Sequence, residues 1–169
     1  PSDWEVNPAG FIIHSAIHSS KTNAHCVMHT HTNAGMAMAA LKQGLINIDF
    51  NGSAFHNKVA YHDFEGVTLR KDECKRIADD LGEKSIMILR NHGLLSVGST
   101  VAHAFIRLHS LERACQVQML ARSLNEELIE VSDNIAKAHA NELEKADNGE
   151  LAFNAMMRLM EKIDPSFKD

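Results

Sequence analysis

The chain has 169 residues, 44% of them hydrophobic, and a formal net charge of −5 at neutral pH, which is enough apolar content for one ordinary domain core. No basic run stands out, so a nucleic-acid surface is not expected, and no apolar run approaches the roughly 18 residues of a membrane helix. Cys26, Cys74 and Cys115 are scattered and form no CxxC pair; they read as free thiols of a reducing compartment, and a cytoplasmic protein is expected.

The first predicted element lies in "NPAGFIIHSAIHSS". Asn7 can cap a helix, Pro8 suits its first position, and Phe11, Ile12, Ile13, Ala16 and Ile17 supply a broad apolar face. The run Cys26-Val27-Met28 predicts a buried strand. "NAGMAMAALKQG" follows as a small-residue helix stopped at Gly44, and residues 46–64 read as irregular, with short strands near Ile46–Ile48 and Val59–Tyr61. "LRKDECKRIADDLG" is an amphipathic helix ending at Gly82. "SIMILR" and "LLSVG" are strands interrupted by "NHG". Ser99 or Thr100 caps a long helix to about Asn125, with Val101, Ala104, Phe105, Leu108, Leu111, Cys115 and Leu120 spaced for burial. Two further helical patterns, roughly 133–145 and 149–163, form a tail (126–169) that packs on the preceding domain (1–125) or on a neighbouring subunit. Strands alternating with helices place the chain in the α/β class.

Eleven histidines are present, and one group carries chemistry. In "HCVMHTHTNAG", strand alternation turns His29 and His31 to one face, with Cα atoms about 6.6 Å apart. Two imidazoles at that spacing either converge on a metal ion or are polar residues where a strand meets solvent. His92 sits in "NHG" after a buried run, where Gly93 permits a sharp turn or a close backbone approach. Three imidazoles with an open coordination position match a catalytic metal site, since structural zinc usually takes four protein ligands. His14 and His18 lie one helical turn apart, and His25 alternates onto the face of His29. His62 and Asp63 are adjacent, so on a strand they point apart and are not read as a dyad.

"NPAGFIIHSAI", "HCVMHTHTNAG", "VAYHDFEG", "ILRNHGLLSVG" and "ERACQ" together resemble the class II aldolase/adducin superfamily, and within it the adducin-like bacterial branch. The resemblance implies a three-layer α/β/α domain around a central, largely antiparallel sheet. It also implies a divalent ion, commonly zinc, with iron or manganese as alternatives, on His29, His31 and His92. A homo-oligomer, with a tetramer favoured, and a small-molecule substrate follow from the same resemblance. Family members carry about a third more chain ahead of the matching point, so the domain is expected to lack its N-terminal portion here, together with the phosphate-binding loop of the aldolases.

Two positions depart from the aldolase pattern. The aldolases place a glutamate four residues before the histidine corresponding to His14, and a tyrosine nineteen residues after the second histidine of the pair; these positions are Gly10 and Phe50 here. Each lost acid–base group is worth about 10²–10⁴-fold in rate. Substitute proton carriers to weigh are His14, His25, Tyr61 and Glu5. The function expected is a metal-dependent lyase performing aldol cleavage or decarboxylation of a small oxygenated substrate. The alternative is a non-catalytic, adducin-like interaction domain.

Overall fold

The computed structural model describes residues 5–67, 71–146 and 149–168. Asn7 caps α1 (Pro8–Ser20), its Oδ1 accepting from the amides of Ala9 and Gly10, with Pro8 where its missing N–H costs nothing. The described residues form four strands, β1 (Cys26–Thr30), β2 (Val59–His62), β3 (Ile86–Leu89) and β4 (Gly93–Gly98), in the spatial order β1-β4-β3-β2. β1–β4 and β4–β3 are antiparallel and β2–β3 is parallel, so the sheet is mixed with an antiparallel majority. β3 and β4 are buried at every position, as expected of central strands covered on both faces.

Side-chain alternation splits the core in two. Val27, Ala60, Met87, Leu89, Leu95 and Val97 face α1 and α4 (Lys71–Leu81). Val59, Ile86, Ile88 and Leu94 face the opposite way, onto α2 (Asn33–Ala39) and the long α5 (Val101–Ser123). This is the expected three-layer α/β/α arrangement. Thr100 caps α5 through its Oγ1, which accepts from the amide of His103. The buried Gln118 amide donates to the Gly44 carbonyl and accepts from the Ile46 amide, tying the loop after α2 to α5. The tail helices α6 (Asp133–Lys145) and α7 (Glu150–Ile163) pack on α3 (Phe50–Ala54) and α5 respectively.

Several expectations need correction. α2 ends at Ala39, well short of Gly44. There is no strand at Ile46–Ile48; instead Asp49 caps the five-residue α3, its Oδ1 accepting from the amides of Asn51 and Gly52. Phe11, Val101 and Leu120 are exposed: they fall outside the narrow stripes that α1 and α5 actually bury. The helix expected from Leu69 is described from Lys71; residues 69–70 lie outside the described residues. Among the described residues no helix is long and apolar enough to cross a membrane.

Candidate metal centre

The register of β1 on β4 explains why two distant histidine motifs meet. His29 pairs with Leu95 and Thr30 with Leu94, so continuing the ladder by one step sets His31 opposite Gly93 and brings His92 beside the pair. The link between β3 and β4 is tight: Asn91 takes the left-handed conformation (φ 55°), which asparagine tolerates better than most side chains, and the His92 amide donates to the Leu89 carbonyl. Gly93 therefore serves close approach, with Asn91 supplying the left-handed turn. A Cβ on Gly93 would collide with the Thr30 carbonyl oxygen and stand 3.2 Å from ring carbons of both His29 and His31.

The three rings form a nearly equilateral triangle, with centroids 4.6 Å (His29–His31), 4.8 Å (His29–His92) and 4.6 Å (His31–His92) apart. One nitrogen from each lies within 4.8 Å of the others. His29 Nδ1–H donates to the Leu94 carbonyl oxygen at 2.8 Å, which leaves its Nε2 lone pair turned to His31 Nε2, 2.7 Å away. Burial, assisted by repulsion from His92, His31 and His14, outweighs the Leu94 bond and lowers the His29 pKa to about 4. Burial, then His31, also lowers that of His92. Neutral imidazoles with one nitrogen tied back and the other aimed at a common point are what a divalent cation requires. At about 2.0–2.1 Å per zinc–nitrogen bond, tetrahedral ligand nitrogens stand about 3.4 Å apart, so the rings would close by about 1.4 Å at the widest pair to hold one ion. The donor set fits zinc, and fits iron or manganese as nitrogen ligands do.

The other candidates separate cleanly. His14, on α1, is close enough for its charge to act on His29, and burial lowers its own pKa. His25 is exposed one residue before β1 begins, about 13 Å of strand from His29, and does not join the rings. Tyr61 turns to the α2/α5 face of the sheet, where its hydroxyl accepts from the Leu45 amide (3.0 Å) and Arg90 covers its ring, so it is a packing residue. Glu5 is exposed ahead of α1. Phe50 is 68% exposed and its ring meets His139 of α6. Gly10 lies in open space, a Cβ there meeting nothing nearer than Asn7 Cγ at 3.9 Å.

Three side chains around the rings, Thr32, Phe64 and His62, are not among the site residues expected from the sequence. Thr32 caps α2, accepting from the Gly35 amide, and donates to Glu112 Oε2 of α5 at 2.5 Å, which anchors the end of the His29–His31 segment. Phe64 flanks His92, their centroids 6.4 Å apart. His62 pairs with Asp80 and lies near Glu73, as its strand position next to Asp63 implied only negatively. Each lies inside a motif quoted above: Thr32 in "HCVMHTHTNAG", His62 and Phe64 in "VAYHDFEG", and Glu112 in "ERACQ".

Known proteins share this fold. An aldolase II superfamily protein from Pseudomonas syringae superposes with a TM-score of 0.93 at 40% identity, covering 100% of this chain and 69% of that one. An L-fuculose 1-phosphate aldolase from Glaciozyma antarctica gives a TM-score of 0.81 at 31% identity over 95% of this chain and 61% of its own. Rat alpha-adducin is 45% identical over 115 residues, 68% of this chain and 16% of that protein. The chain spans about two thirds of the length of the bacterial relatives it matches. The Class II Aldolase and Adducin N-terminal domain model matches residues 2–119, and the chain belongs to that family.

Proposed function

We propose that this protein is a metal-dependent lyase whose ion is held by His29, His31 and His92, acting on a small oxygenated substrate by aldol cleavage or decarboxylation. The observation that carries the reading is the triangle of three rings with one nitrogen each inside 4.8 Å. A bound divalent cation, zinc in the first place and iron or manganese as alternatives, supplies Lewis acidity that stabilises negative charge developing on a carbonyl oxygen. His29, kept neutral by burial and oriented by the Leu94 carbonyl, presents a lone pair at any pH above about 4. His31 is the exposed member of the three and marks the side open to substrate. His14 is the side chain placed to exchange a proton, since its charge reaches His29 and burial holds its pKa below the usual value. With Gly10 and Phe50 in place of an acid and a phenol, sugar-phosphate aldolase turnover is slow, and decarboxylation of a carboxylate substrate gains weight. The exposed apolar residues of α7, Leu151, Leu159 and Ile163, support assembly as a homo-oligomer, a tetramer in the favoured form. Scattered free cysteines support a cytoplasmic setting.

The alpha-adducin identity favours a second reading, a non-catalytic interaction module that keeps the same three histidines. Metal content per chain by plasma mass spectrometry, on the wild type and His92→Ala, tests the first reading. About one zinc, iron or manganese per chain, lost in the variant, upholds it, and lyase and decarboxylase substrates then follow with that metal. A wild type free of metal after chelator-free purification turns the assignment to the interaction module.

A further inference from the structure

A cleft opens between the β3–β4 turn and the C-terminal end of α2, and the chemistry proposed above does not use it. Its volume is about 520 Å³, within the roughly 300–1,000 Å³ of small-molecule sites, and Lys42, Asp63, Phe64, Arg90 and Asn91 supply its functional side chains. Backbone bonds tie its walls together. The Asn91 amide donates to the Ala39 carbonyl at 3.1 Å, and the Arg90 amide donates to the His62 carbonyl at 2.8 Å. Asn91 directly precedes His92, and the Phe64 ring stands 6.4 Å from that of His92, so the cleft adjoins the histidine cluster.

Two cations line the cleft, and the fold accounts for only one of them. Arg90 Nη1–H donates to the Leu41 carbonyl at 2.6 Å and Nη2–H to the Lys42 carbonyl at 3.4 Å, while its guanidinium carbon sits 4.2 Å from the Tyr61 ring centre. These contacts hold the loop after α2 to the sheet. They also fix the guanidinium fork and use two of its five N–H groups. Lys42 is partly buried, yet among the described residues its ammonium meets neither a carbonyl nor a carboxylate. A lysine stem packed on protein normally carries its three donors to an acceptor or out to water. Asp63 is exposed and is the one acid among the lining residues, so two cations face one carboxylate.

We propose that this cleft binds the carboxylate of a small hydroxy acid, held by Lys42 and Arg90, with Asp63 accepting from a hydroxyl group of the same molecule. A guanidinium fork matches the two oxygens of a planar carboxylate, and the ammonium adds a point charge with little demand on geometry. Asp63 disfavours an anion that has no hydroxyl to offer, so it selects among acids of equal charge. Phe64, 55% exposed, borders both the cleft and the His92 ring, which sets an acid anchored here beside the three histidines. Its role as the anchor of the substrate rests on the metal-dependent reading above. Binding of the acid itself does not, so the test is made without metal.

Dissociation constants are measured from ¹H–¹⁵N correlation spectra of the full chain, freed of metal on a chelating resin, at constant ionic strength. The probes are succinate, tartrate (succinate with two hydroxyl groups) and inorganic phosphate. Wild type should saturate with tartrate, moving the Asn91 amide and Arg90 Nε–H signals, and bind succinate about fivefold more weakly, the worth of one hydrogen bond. Lys42→Gln weakens tartrate binding by about tenfold or more, as loss of a charged hydrogen bond does, while Lys137→Gln on the exposed face of α6 leaves it unchanged. Asp63→Asn brings the two acids within about twofold of each other. A wild type that does not saturate, or equal losses in Lys42→Gln and Lys137→Gln, overturns the proposal. Phosphate bound more tightly than either acid, with the same loss in Lys42→Gln, overturns the hydroxy-acid assignment in favour of a phosphate group. Metal content is read separately: a chain that takes no metal yet binds tartrate loses the lyase reading and keeps this site, and the converse loses only the site. Should Lys42→Gln fail to fold, the exposed Asp63→Asn decides through its discrimination between the two acids.

Discussion

Gly93→Ala is the single-methyl change to which the metal centre should respond most. The added Cβ has two obstacles, the Thr30 carbonyl oxygen and, at 3.2 Å, the ring carbons His29 Cε1 and His31 Cδ2. The first is backbone held in the β1–β4 ladder by the Thr30–Leu94 and His29–Leu95 pairings, so it can yield only if that end of the ladder opens. Overpacking costs about 1–3 kcal/mol, and one or two weakened ladder bonds add about 1 kcal/mol each, giving roughly 2–4 kcal/mol of lost stability. The same push separates the two imidazoles from His92. Because ligand constellations tolerate displacements of only about 0.5 Å, zinc affinity should fall by about 100-fold, or about 2.7 kcal/mol. Urea unfolding followed by far-ultraviolet circular dichroism reads the first quantity, and chelator competition the second. Gly10→Ala is the matched control: its Cβ enters open space on a helix, where alanine gains about 0.5–1 kcal/mol over glycine. A Gly93→Ala protein with wild-type stability and zinc affinity would refute the claim that this register builds the site.

Two further outcomes follow from the same geometry. The His29 pKa is lowered from 6.5 to about 4 on folding, so the unfolded chain takes up that proton first as pH falls. Metal-free protein therefore loses stability between about pH 6.5 and pH 4 and owes nothing to this group above that window; discounted for partial exposure the loss is about 2 kcal/mol. Denaturant unfolding in chelator at pH 7 and pH 4.5 should show that drop in wild type and a shallower one in His29→Asn; equal drops would count against a buried neutral His29. Gly10→Glu places a carboxylate in open space one helical turn from His14, in the first turn of α1, where a negative charge stabilises by about 0.3–1 kcal/mol. The variant should melt no lower than wild type and raise the rate of carbonyl-substrate cleavage by about 10²-fold, the lower end of what an acid–base group contributes. An unchanged rate with intact metal would show that the missing carboxylate does not limit the chemistry.

The backbone plan was legible where a local signal is strong. Asn7-Pro8 and Thr100 announced α1 and α5, the apolar runs announced β3 and β4, and the tail helices fall at 133–145 and 150–163 as their periodicity indicates. The three-histidine site was legible because it is built on two local motifs, and an antiparallel β1–β4 pairing is all that joins them. What escaped depends on partners far along the chain. α3 contains Asn51 and Gly52, poor helix formers, and forms because Asp49 caps it and Gly52 fits closely beneath the Ile46 carbonyl. Glu73 and Glu112 turn inward towards His62 and Thr32, whose positions only the tertiary fold supplies. His25 lies just ahead of β1, as expected, and is exposed about four strand residues from His29.

The histidine triangle alone does not separate a lyase from an adducin-like module, and the reason is structural. Gly93, Asn91 and the β1–β4 register are demanded by folding: the left-handed turn at Asn91 and the close approach at Gly93 make the hairpin that centres the sheet. A domain that had given up its chemistry would keep those residues and, with them, most of the geometry that gathers His29, His31 and His92. Groups that serve no packing purpose carry the distinction instead. Tyr61 is committed to the loop after α2 and does not face the rings, and Phe50, packed on α6, has no hydroxyl to lend. His14 is different: it is only partly buried and near His29 in charge, with no hydrogen bond to a neighbour among the described residues that would fix its ring. An ionisable side chain within electrostatic reach of the three-histidine cluster is what proton transfer would use, and packing of the scaffold gives no reason for one there. The decision between the two readings therefore turns on His14 and on the open position at Gly10, one helical turn before it.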